Sequence, residues 1–147
     1  MCKKKILVLG GSGVFGSRIA GLLCRKNVNG LNVTIAARNR KNLEIARDAI
    51  SSGGLVGEAY APSIRRVDIR NRIQLRDAIR DIEPTVVINA AGSFFDSTSF
   101  DVPQLCAEEK VNYVDIADNR DYVANFSKRL DKEAAKAGVT LLTAAST

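Results

Sequence analysis

The sequence has 147 residues, enough for one domain with a buried core, and its 46% hydrophobic and 26% charged residues exclude a disordered chain. Because there is no histidine, histidine-based acid–base catalysis, histidine-containing triads and most zinc sites are excluded, and we predict no metal site. The net charge of +6 permits nucleic-acid binding, but aromatic residues make up only 5% and do not interleave with the basic clusters, so we predict no nucleic-acid partner.

The apolar runs and the cysteines predict the compartment. No apolar run approaches the roughly 20 residues that span a bilayer, and the run at residues 6–9 is too short for the core of a signal peptide. The three cysteines form no C-x-x-C pair, which is typical of a reducing compartment. We therefore expect a soluble cytoplasmic protein with no membrane partner.

Strand-like and helix-like segments alternate along the whole chain. Apolar, β-rich runs predict six strands, at residues 4–9, 31–37, 63–67, 85–89, 112–115 and 139–142. Amphipathic spacing predicts helices at residues 14–26, 40–52 and 119–137, a helix capped by Asn71 and closed by Pro84, and a short helix near Pro103. This alternation predicts an α/β fold, a doubly wound parallel sheet with right-handed crossovers.

The predicted elements form one domain over residues 1–147, without internal repeats or linkers. The sequence stops at residues 144–147, directly after an apolar strand and without a polar tail or a closing helix. We therefore expect the chain to be the N-terminal part of a longer protein, in which a second domain follows.

A glycine-rich segment joins the first strand to the first helix. Gly11, Gly13 and Gly16 satisfy the pattern G-x-G-x-x-G, in which the first glycine permits a tight turn and the second lets the backbone approach a pyrophosphate. The third lets the helix pack closely on the strand, and the helix N-terminus offers free N–H groups to phosphates. The segment predicts a Rossmann-type dinucleotide-binding domain; a purely structural glycine turn is the alternative. The residues predicted to bind the cofactor here are Gly10, Gly11, Ser12, Gly13, Val14, Phe15 and Gly16.

The end of the second strand indicates which dinucleotide binds. NAD-binding domains usually place Asp or Glu there, where it accepts hydrogen bonds from the ribose hydroxyls. Here the strand ends without an acid, and Arg38 is followed by Asn39 and Arg40. A guanidinium matches a 2′-phosphate in charge and in fork geometry, so these three residues predict NADP(H) rather than NAD(H) as the cofactor. The alternative is that Arg38 is a solvated side chain at the start of a helix.

Two further segments complete the predicted cofactor site. Asp68, with Ile69 beside it, follows the third strand and is placed to accept a hydrogen bond from the adenine amino group; a turn or helix-capping role before Asn71 is the alternative. The fourth strand ends beside the topological switch point, where small residues leave room for the ribose and nicotinamide; a glycine turn is the alternative. The residues predicted there are Asn89, Ala90, Ala91 and Gly92.

No residue of the chain has a clear acid–base role, so we predict no catalytic residue here. Asp115 and Asp118, near the end of the fifth strand, could reach the cleft, although Asp118 is better explained as a helix cap. A short-chain dehydrogenase would need a Tyr and a Lys four residues apart, and no tyrosine is followed by Lys at that spacing. The other alternative is a non-catalytic protein that senses NADP(H) and controls a partner.

Taken in order, the motifs resemble the NADP-binding domain of the saccharopine dehydrogenase-like oxidoreductases. The resemblance spans nearly the whole chain, and its block after the small helix is more particular to that family than the glycine loop. Its segments are Ile-Leu-Val-Leu-Gly-Gly-Ser-Gly-Val-Phe-Gly at 6–16, Thr-Ile-Ala-Ala-Arg-Asn at 34–39, Val-Val-Ile-Asn-Ala-Ala-Gly at 86–92 and Tyr-Val-Asp-Ile-Ala-Asp at 113–118.

The resemblance implies a two-domain NADP(H)-dependent oxidoreductase with hydride transfer at the nicotinamide. Typical members act on a carbon–nitrogen bond of an amino-acid adduct, and the following domain supplies most of the substrate pocket. The expected partner is therefore a small-molecule substrate, and this chain alone should bind cofactor without turnover; a homodimer is a further, open expectation. One departure is Ser93, which stands where members commonly place Pro and alters the loop over the nicotinamide.

Overall fold

The computed structural model of the chain describes residues 3–91 and 99–145. The strands are β1 Lys4–Leu9, β2 Leu31–Ala37, β3 Ser63–Arg66, β4 Val86–Asn89, β5 Asn112–Asp115 and β6 Leu141–Leu142. The helices are α1 Val14–Leu23, α2 Arg40–Ser51, α3 Arg72–Ile82, α4 Asp101–Glu108 and α5 Arg120–Ala137. The six strands form one sheet in the order β3-β2-β1-β4-β5-β6, and every neighbouring pair is parallel. The predicted doubly wound α/β sheet is confirmed.

The sheet buries an apolar cluster on each of its two faces. In β1, Leu7 and Leu9 belong to the cluster that α3, α4 and α5 cover, whereas Ile6 and Val8 belong to the cluster that α1 and α2 cover. A strand covered on both faces is a continuous apolar run, which is the pattern that predicted it. Strand order reverses between β1 and β4, so the switch point lies where these two strands end.

Three helices begin at an asparagine whose side-chain oxygen accepts a hydrogen bond from the backbone N–H three residues later. These N-caps are Asn39, Asn71 and Asn119, and each bond is 3.1 Å long. Such a cap satisfies one of the free N–H groups in the first turn. The interpretation of Asp118 as a cap is therefore wrong, because its neighbour Asn119 holds that position and Asp118 is exposed.

Two boundaries differ from the prediction by more than one residue, because tertiary or capping contacts use the residues concerned. The helix α1 ends at Leu23 rather than at residue 26, since the loop before β3 bonds to the segment that follows it: the Tyr60 N–H donates to the Cys24 carbonyl at 2.8 Å. Strand β6 pairs only over Leu141–Leu142, because the Val139 N–H donates back to α5 in a C-cap around Gly138, whose φ is +70°.

None of the helices within residues 3–91 and 99–145 is both long and apolar enough to cross a lipid bilayer. The 18-residue helix α5 is amphipathic, and the residues it buries are Tyr122, Phe126 and Leu130. These three belong to the cluster on one face of the sheet, so the apolar side of α5 packs on the core.

Candidate functional site

A cavity of about 500 Å³ opens at the carboxyl ends of β1, β2, β3 and β4, beside the switch point. Ligands of open α/β sheets bind in the crevice at this edge. The predicted cofactor residues that line it are Gly10, Ser12, Gly13, Arg38, Asn39, Asp68, Ile69, Ala90 and Ala91. The further lining residues are Ala37, Asn42, Val67 and Arg70. The fold thus brings four separated segments of the predicted site together around one cavity.

The glycine loop is held against two strand ends by contacts that exclude a side chain. Gly10 has φ +71°, and a Cβ there would lie 2.5 Å from the backbone nitrogen of Ala91. Gly11 is buried, its N–H donates to the Ala36 carbonyl at 3.1 Å, and a Cβ there would lie 2.5 Å from the Cβ of Ile35. The positive φ therefore falls on Gly10, and Gly11 is required by packing against β2 rather than by a tight turn.

Gly13 and Gly16 have different neighbours at the start of α1. A Cβ on Gly16 would overlap the carbonyl of Gly10, which confirms close packing as the reason for this glycine. A Cβ on Gly13 would have only the Gly10 carbonyl oxygen near it, at 3.3 Å. Gly13 lines the cavity as the N-cap of α1, and no side chain caps the helix, so the first N–H groups of α1 begin at the cavity without a side-chain acceptor.

Val14 and Phe15 lie outside the cavity lining, although they were predicted as cofactor residues. Val14 is 78% exposed and Phe15 is 68% exposed. They open α1, so only their backbone N–H groups share the helix N-terminus with Gly13. Gly11 and Gly16 are also absent from the lining because both are buried beneath it.

Arg38 and Arg40 flank the α2 cap but have different surroundings. Arg38 lines the cavity, and its backbone carbonyl accepts a 3.0 Å hydrogen bond from the Arg66 side chain. Within the described residues its guanidinium forms no ion pair. Arg40 instead pairs with Glu44 one turn along α2, at 3.3 Å, and is not part of the lining. The cationic group available to the cavity at this end is therefore that of Arg38.

Asp68 and Arg70 form a charged pair at the far side of the cavity. The Asp68 Oδ1 accepts from the backbone N–H of Arg70 at 3.0 Å and from its Nε at 3.3 Å. These hydrogen bonds, backbone first, lower the pKa of the Asp68 carboxyl, and the nearby charge of Arg38 acts in the same direction. Asp68 thus closes a turn and leaves the capping of α3 to Asn71.

Arg70 is the charged lining residue that the sequence reasoning missed. The signal available was its place two residues after Asp68 within a basic cluster that also contains Arg65, Arg66 and Arg72. Its side chain is 71% exposed. Charge alone could not distinguish it from its solvated neighbours, because only the turn around Asp68 directs it to the cavity.

At the end of β4, two alanines line the cavity, and the buried Asn89 side chain forms a hydrogen bond with the backbone of one of them. Ala90 and Ala91 are lining residues, whereas Asn89 is buried. The Asn89 Oδ1 accepts from the Ala91 N–H at 3.1 Å, and its Nδ2 donates to the Tyr113 hydroxyl at 3.2 Å. The predicted residue Gly92, together with Ser93, lies outside the described residues.

Asp115 does not reach the cleft, so that expectation is wrong. Asp115 is fully buried at the end of β5, and both of its carboxylate oxygens accept hydrogen bonds from protein donors.

The two cysteines among the described residues are buried. Burial raises the pKa of the Cys24 thiol to about 11 and that of the Cys106 thiol to about 12. No group of three or more potential metal ligands is found within residues 3–91 and 99–145.

The chain has a fold shared with reductases of known structure. A beta-ketoacyl-ACP reductase from Bacteroides thetaiotaomicron aligns with a TM-score of 0.68 and 20% identity over 96% of this chain and 75% of that one. An actinorhodin polyketide ketoreductase variant with NADPH aligns with a TM-score of 0.69 and 20% identity, over 97% and 70%. A short-chain dehydrogenase/reductase from Mycobacterium ulcerans aligns with a TM-score of 0.72 and 18% identity, over 97% and 66%. At these identities the likeness establishes the Rossmann-type fold alone.

The family comparison is more specific. The family described as saccharopine dehydrogenase NADP binding domain matches residues 6–142, and no curated protein sequence matches the chain. The match covers the glycine loop, the basic end of β2 and the ends of β4 and β5, which are the segments that carried the resemblance. It also confirms the prediction of NADP(H) as the cofactor. The chain belongs to the family of saccharopine dehydrogenase NADP-binding domains.

Proposed function

We propose that this chain holds NADP(H) across the cavity, with the 2′-phosphate at Arg38, and serves as the cofactor domain of an oxidoreductase. The observation that carries the proposal is the end of β2, where Arg38 lines the cavity without an ion-pair partner among the described residues. An acid at this place would accept from the ribose hydroxyls of NAD and repel a 2′-phosphate. A guanidinium favours the phosphate instead.

The remaining lining residues fit the other parts of the dinucleotide. The space beside Gly13 and the N-terminus of α1 suits a pyrophosphate, because N–H groups and the positive end of the helix dipole meet there. The Asp68 carboxylate suits the adenine amino group as an acceptor, since its lowered pKa keeps it ionised. Ala90 and Ala91 leave room for the ribose and nicotinamide at the switch point.

The chemistry of the proposed enzyme is hydride transfer. NADPH supplies the hydride from its nicotinamide ring when it is bound. The residues of this chain bind and orient the cofactor; within the described residues, the one acid at the end of β5 is buried and hydrogen-bonded. We therefore propose that a following domain binds the small-molecule substrate and supplies the proton transfer. We also propose a cytoplasmic location, on the basis of the two buried free thiols.

The proposal is tested by titrating the chain with NADPH and with NADH. Loss of a charge-assisted contact in Arg38→Ala should weaken NADPH binding roughly tenfold to a hundredfold and leave NADH binding unchanged. Arg38→Lys should recover part of the affinity, because Lys keeps the charge but lacks the fork. Lys41→Ala, which removes a charge from an exposed neighbouring site, is the matched control and should bind NADPH like the wild type.

Equal affinity of Arg38→Ala and the wild type for NADPH would contradict the assignment of the 2′-phosphate. Weak binding of NADPH to both Arg38→Ala and Lys41→Ala would show that net charge, rather than this side chain, controls the affinity. If the wild type bound NADH at least as tightly as NADPH, the proposal would be wrong in its central feature.

A further inference from the structure

Asp115 is a buried carboxylate that collects hydrogen bonds from several parts of the fold. Its Oδ2 accepts from the hydroxyls of Tyr113 at 2.8 Å and Tyr122 at 3.0 Å. Its Oδ1 accepts from the N–H of Ala117 at 3.1 Å, from the hydroxyl of Thr143 at 2.7 Å and from the N–H of Ala144 at 3.1 Å. Among the described residues it has no cationic partner within ion-pair distance.

A buried charge without a counter-ion is costly unless hydrogen bonds replace its hydration. Here five donors satisfy the carboxylate, and the two tyrosines remain donors because burial raises the pKa of Tyr113 and of Tyr122 above its usual range. The charge of Asp115 also raises the pKa of both hydroxyls. A buried ionised group with fixed donors holds its surroundings in one arrangement.

One arm of this network reaches the wall of the cofactor cavity. The Asn89 Nδ2 donates to the Tyr113 hydroxyl, whose own proton is donated to Asp115. The other end of the Asn89 amide accepts from the N–H of Ala91, a lining residue. Ala91 in turn lies so close to Gly10 that a Cβ on that glycine would meet its backbone nitrogen at 2.5 Å. The network therefore fixes the backbone against which the glycine loop rests.

The other arm reaches the segment that follows β6. Thr143 and Ala144 donate to the Asp115 carboxylate, and the Ala145 N–H donates to the Asp115 backbone carbonyl at 2.9 Å. Ala144 has a positive φ of 57°, which is unusual for a residue other than glycine. Such a conformation persists only where surrounding contacts impose it. The hydrogen bonds from Thr143, Ala144 and Ala145 to Asp115 are contacts of this kind.

We propose that Asp115 is a positioning residue that couples the cofactor cavity to the segment after β6, through Tyr113 and Asn89 on one side and Thr143 and Ala144 on the other. Cofactor binding against Ala91 then stabilises the arrangement at Ala144, and the reverse holds by linkage. This inference rests on the proposed placement of NADP(H) in the cavity.

The test compares Tyr113→Phe with Tyr122→Phe. Both variants remove one buried hydroxyl from the same carboxylate oxygen, and the bond from Asn89 to the Tyr113 hydroxyl is lost in Tyr113→Phe and kept in Tyr122→Phe. In the ligand-free chain, amide hydrogen exchange at Ala91 should be roughly fivefold to tenfold faster in Tyr113→Phe, relative to reference amides in β2. It should be unchanged in Tyr122→Phe on the same scale. Equal exchange at Ala91 in the wild type and Tyr113→Phe would overturn the proposal.

Titration with NADPH then tests the coupling. Tyr113→Phe should bind NADPH about fivefold to tenfold more weakly than the wild type, and Tyr122→Phe should bind within about twofold of it. NADPH should slow exchange at Ala144 in the wild type and in Tyr122→Phe but not in Tyr113→Phe. If NADPH slowed exchange at Ala144 in the wild type and in both variants, the coupling would be refuted. It would also be refuted if all three proteins bound NADPH and exchange at Ala144 slowed in none of them.

The two proposals fail in different ways. If the wild type does not bind NADPH, the proposed function fails, while the ligand-free exchange at Ala91 still decides whether Asp115 and Tyr113 position the cavity wall. If the wild type binds NADPH through Arg38 and the two tyrosine variants behave alike, the proposed function stands and the positioning role of Asp115 is refuted.

Discussion

A methyl group added at Gly13 would enter the side of the cavity that we assign to the pyrophosphate. Gly13 lines the cavity, and a Cβ there would meet only the carbonyl oxygen of Gly10, at 3.3 Å. Its backbone has φ −79° and ψ 173°, an extended conformation that alanine adopts without strain. The substitution therefore adds bulk where a phosphate would lie, and the Gly10 carbonyl oxygen has to move by only a few tenths of an ångström to admit it.

The stability change of Gly13→Ala is the difference of two small terms. Replacing glycine by alanine reduces the entropy of the unfolded chain, which stabilises the fold by about 0.4–1 kcal/mol. Alanine is a poorer N-cap than glycine, which costs about 1 kcal/mol. The net change in the free energy of unfolding should therefore be below about 1 kcal/mol. By contrast, a Cβ on buried Gly11 would lie 2.5 Å from the Cβ of Ile35, and overpacking of this kind costs about 1–3 kcal/mol.

Urea denaturation and NADPH titration measure the two quantities separately. Gly13→Ala should keep the midpoint of the wild type and bind NADPH at least about tenfold more weakly, a loss of about 1.4 kcal/mol. Gly11→Ala should lower the denaturation midpoint. If Gly13→Ala bound NADPH as tightly as the wild type, the pyrophosphate would not approach this backbone, and our reading of the glycine loop would be refuted.

Three further predictions concern the thiols, the cavity pair and the helix surface. Burial raises the pKa of Cys106 to about 12, so at about pH 8 it should react with iodoacetamide only as fast as the chain unfolds; rapid labelling found by peptide mapping would contradict this. Hydrogen bonds from Arg70 lower the pKa of Asp68 from 3.8, so their stabilising effect is present above that pH and is lost as the pH falls through the lowered value. Arg70→Ala should raise the Asp68 pKa in a carbon-13 NMR titration, and an unchanged pKa would refute the pairing. Glu109, 14% exposed, accepts two hydrogen bonds from Arg80 and forms an ion pair with Arg76 at 3.0 Å. Glu109→Gln should lower the free energy of unfolding by about 1 kcal/mol, less at high salt, and a salt-independent loss would count against the ion pairs.

Much of the fold could be predicted from local pattern. The bounds of β1, β2 and β5 match the prediction. β1 shows the physical reason, because a strand covered on both faces carries a continuous apolar run that ends at a turn residue. The cap Asn71 was predicted because it stands just before an amphipathic segment, where a side-chain oxygen is needed. The position of the glycine loop at the strand-to-helix junction follows from the same local reasoning.

The parts that could not be predicted depend on contacts between distant residues. The end of α1 depends on the Tyr60 N–H reaching the Cys24 carbonyl, which no helical periodicity reveals. The burial of Asp115 depends on Thr143, which is 28 residues away in the sequence. An aspartate at the end of a parallel strand usually suggests a functional site, and the sequence does not show that other elements surround it.

In the candidate site, residue type was predicted better than side-chain position. Arg38 and Arg40 look equivalent in the sequence, yet only Arg38 lines the cavity, because Arg40 already lies on α2 and pairs with Glu44. Arg70 was not predicted, because it lies in a turn outside any regular element, and this turn brings its side chain to the cavity. Sequence pattern predicted the segments that line the cavity, and their three-dimensional arrangement decides which side chains reach it.

A crystal structure of the chain with bound NADP⁺ tests the central claim most directly. We predict the dinucleotide in the cavity, with its 2′-phosphate within hydrogen-bond distance of the Arg38 guanidinium and its pyrophosphate over the backbone of Gly13. A dinucleotide bound outside the cavity, or one whose 2′-phosphate contacts solvent rather than Arg38, would contradict the account.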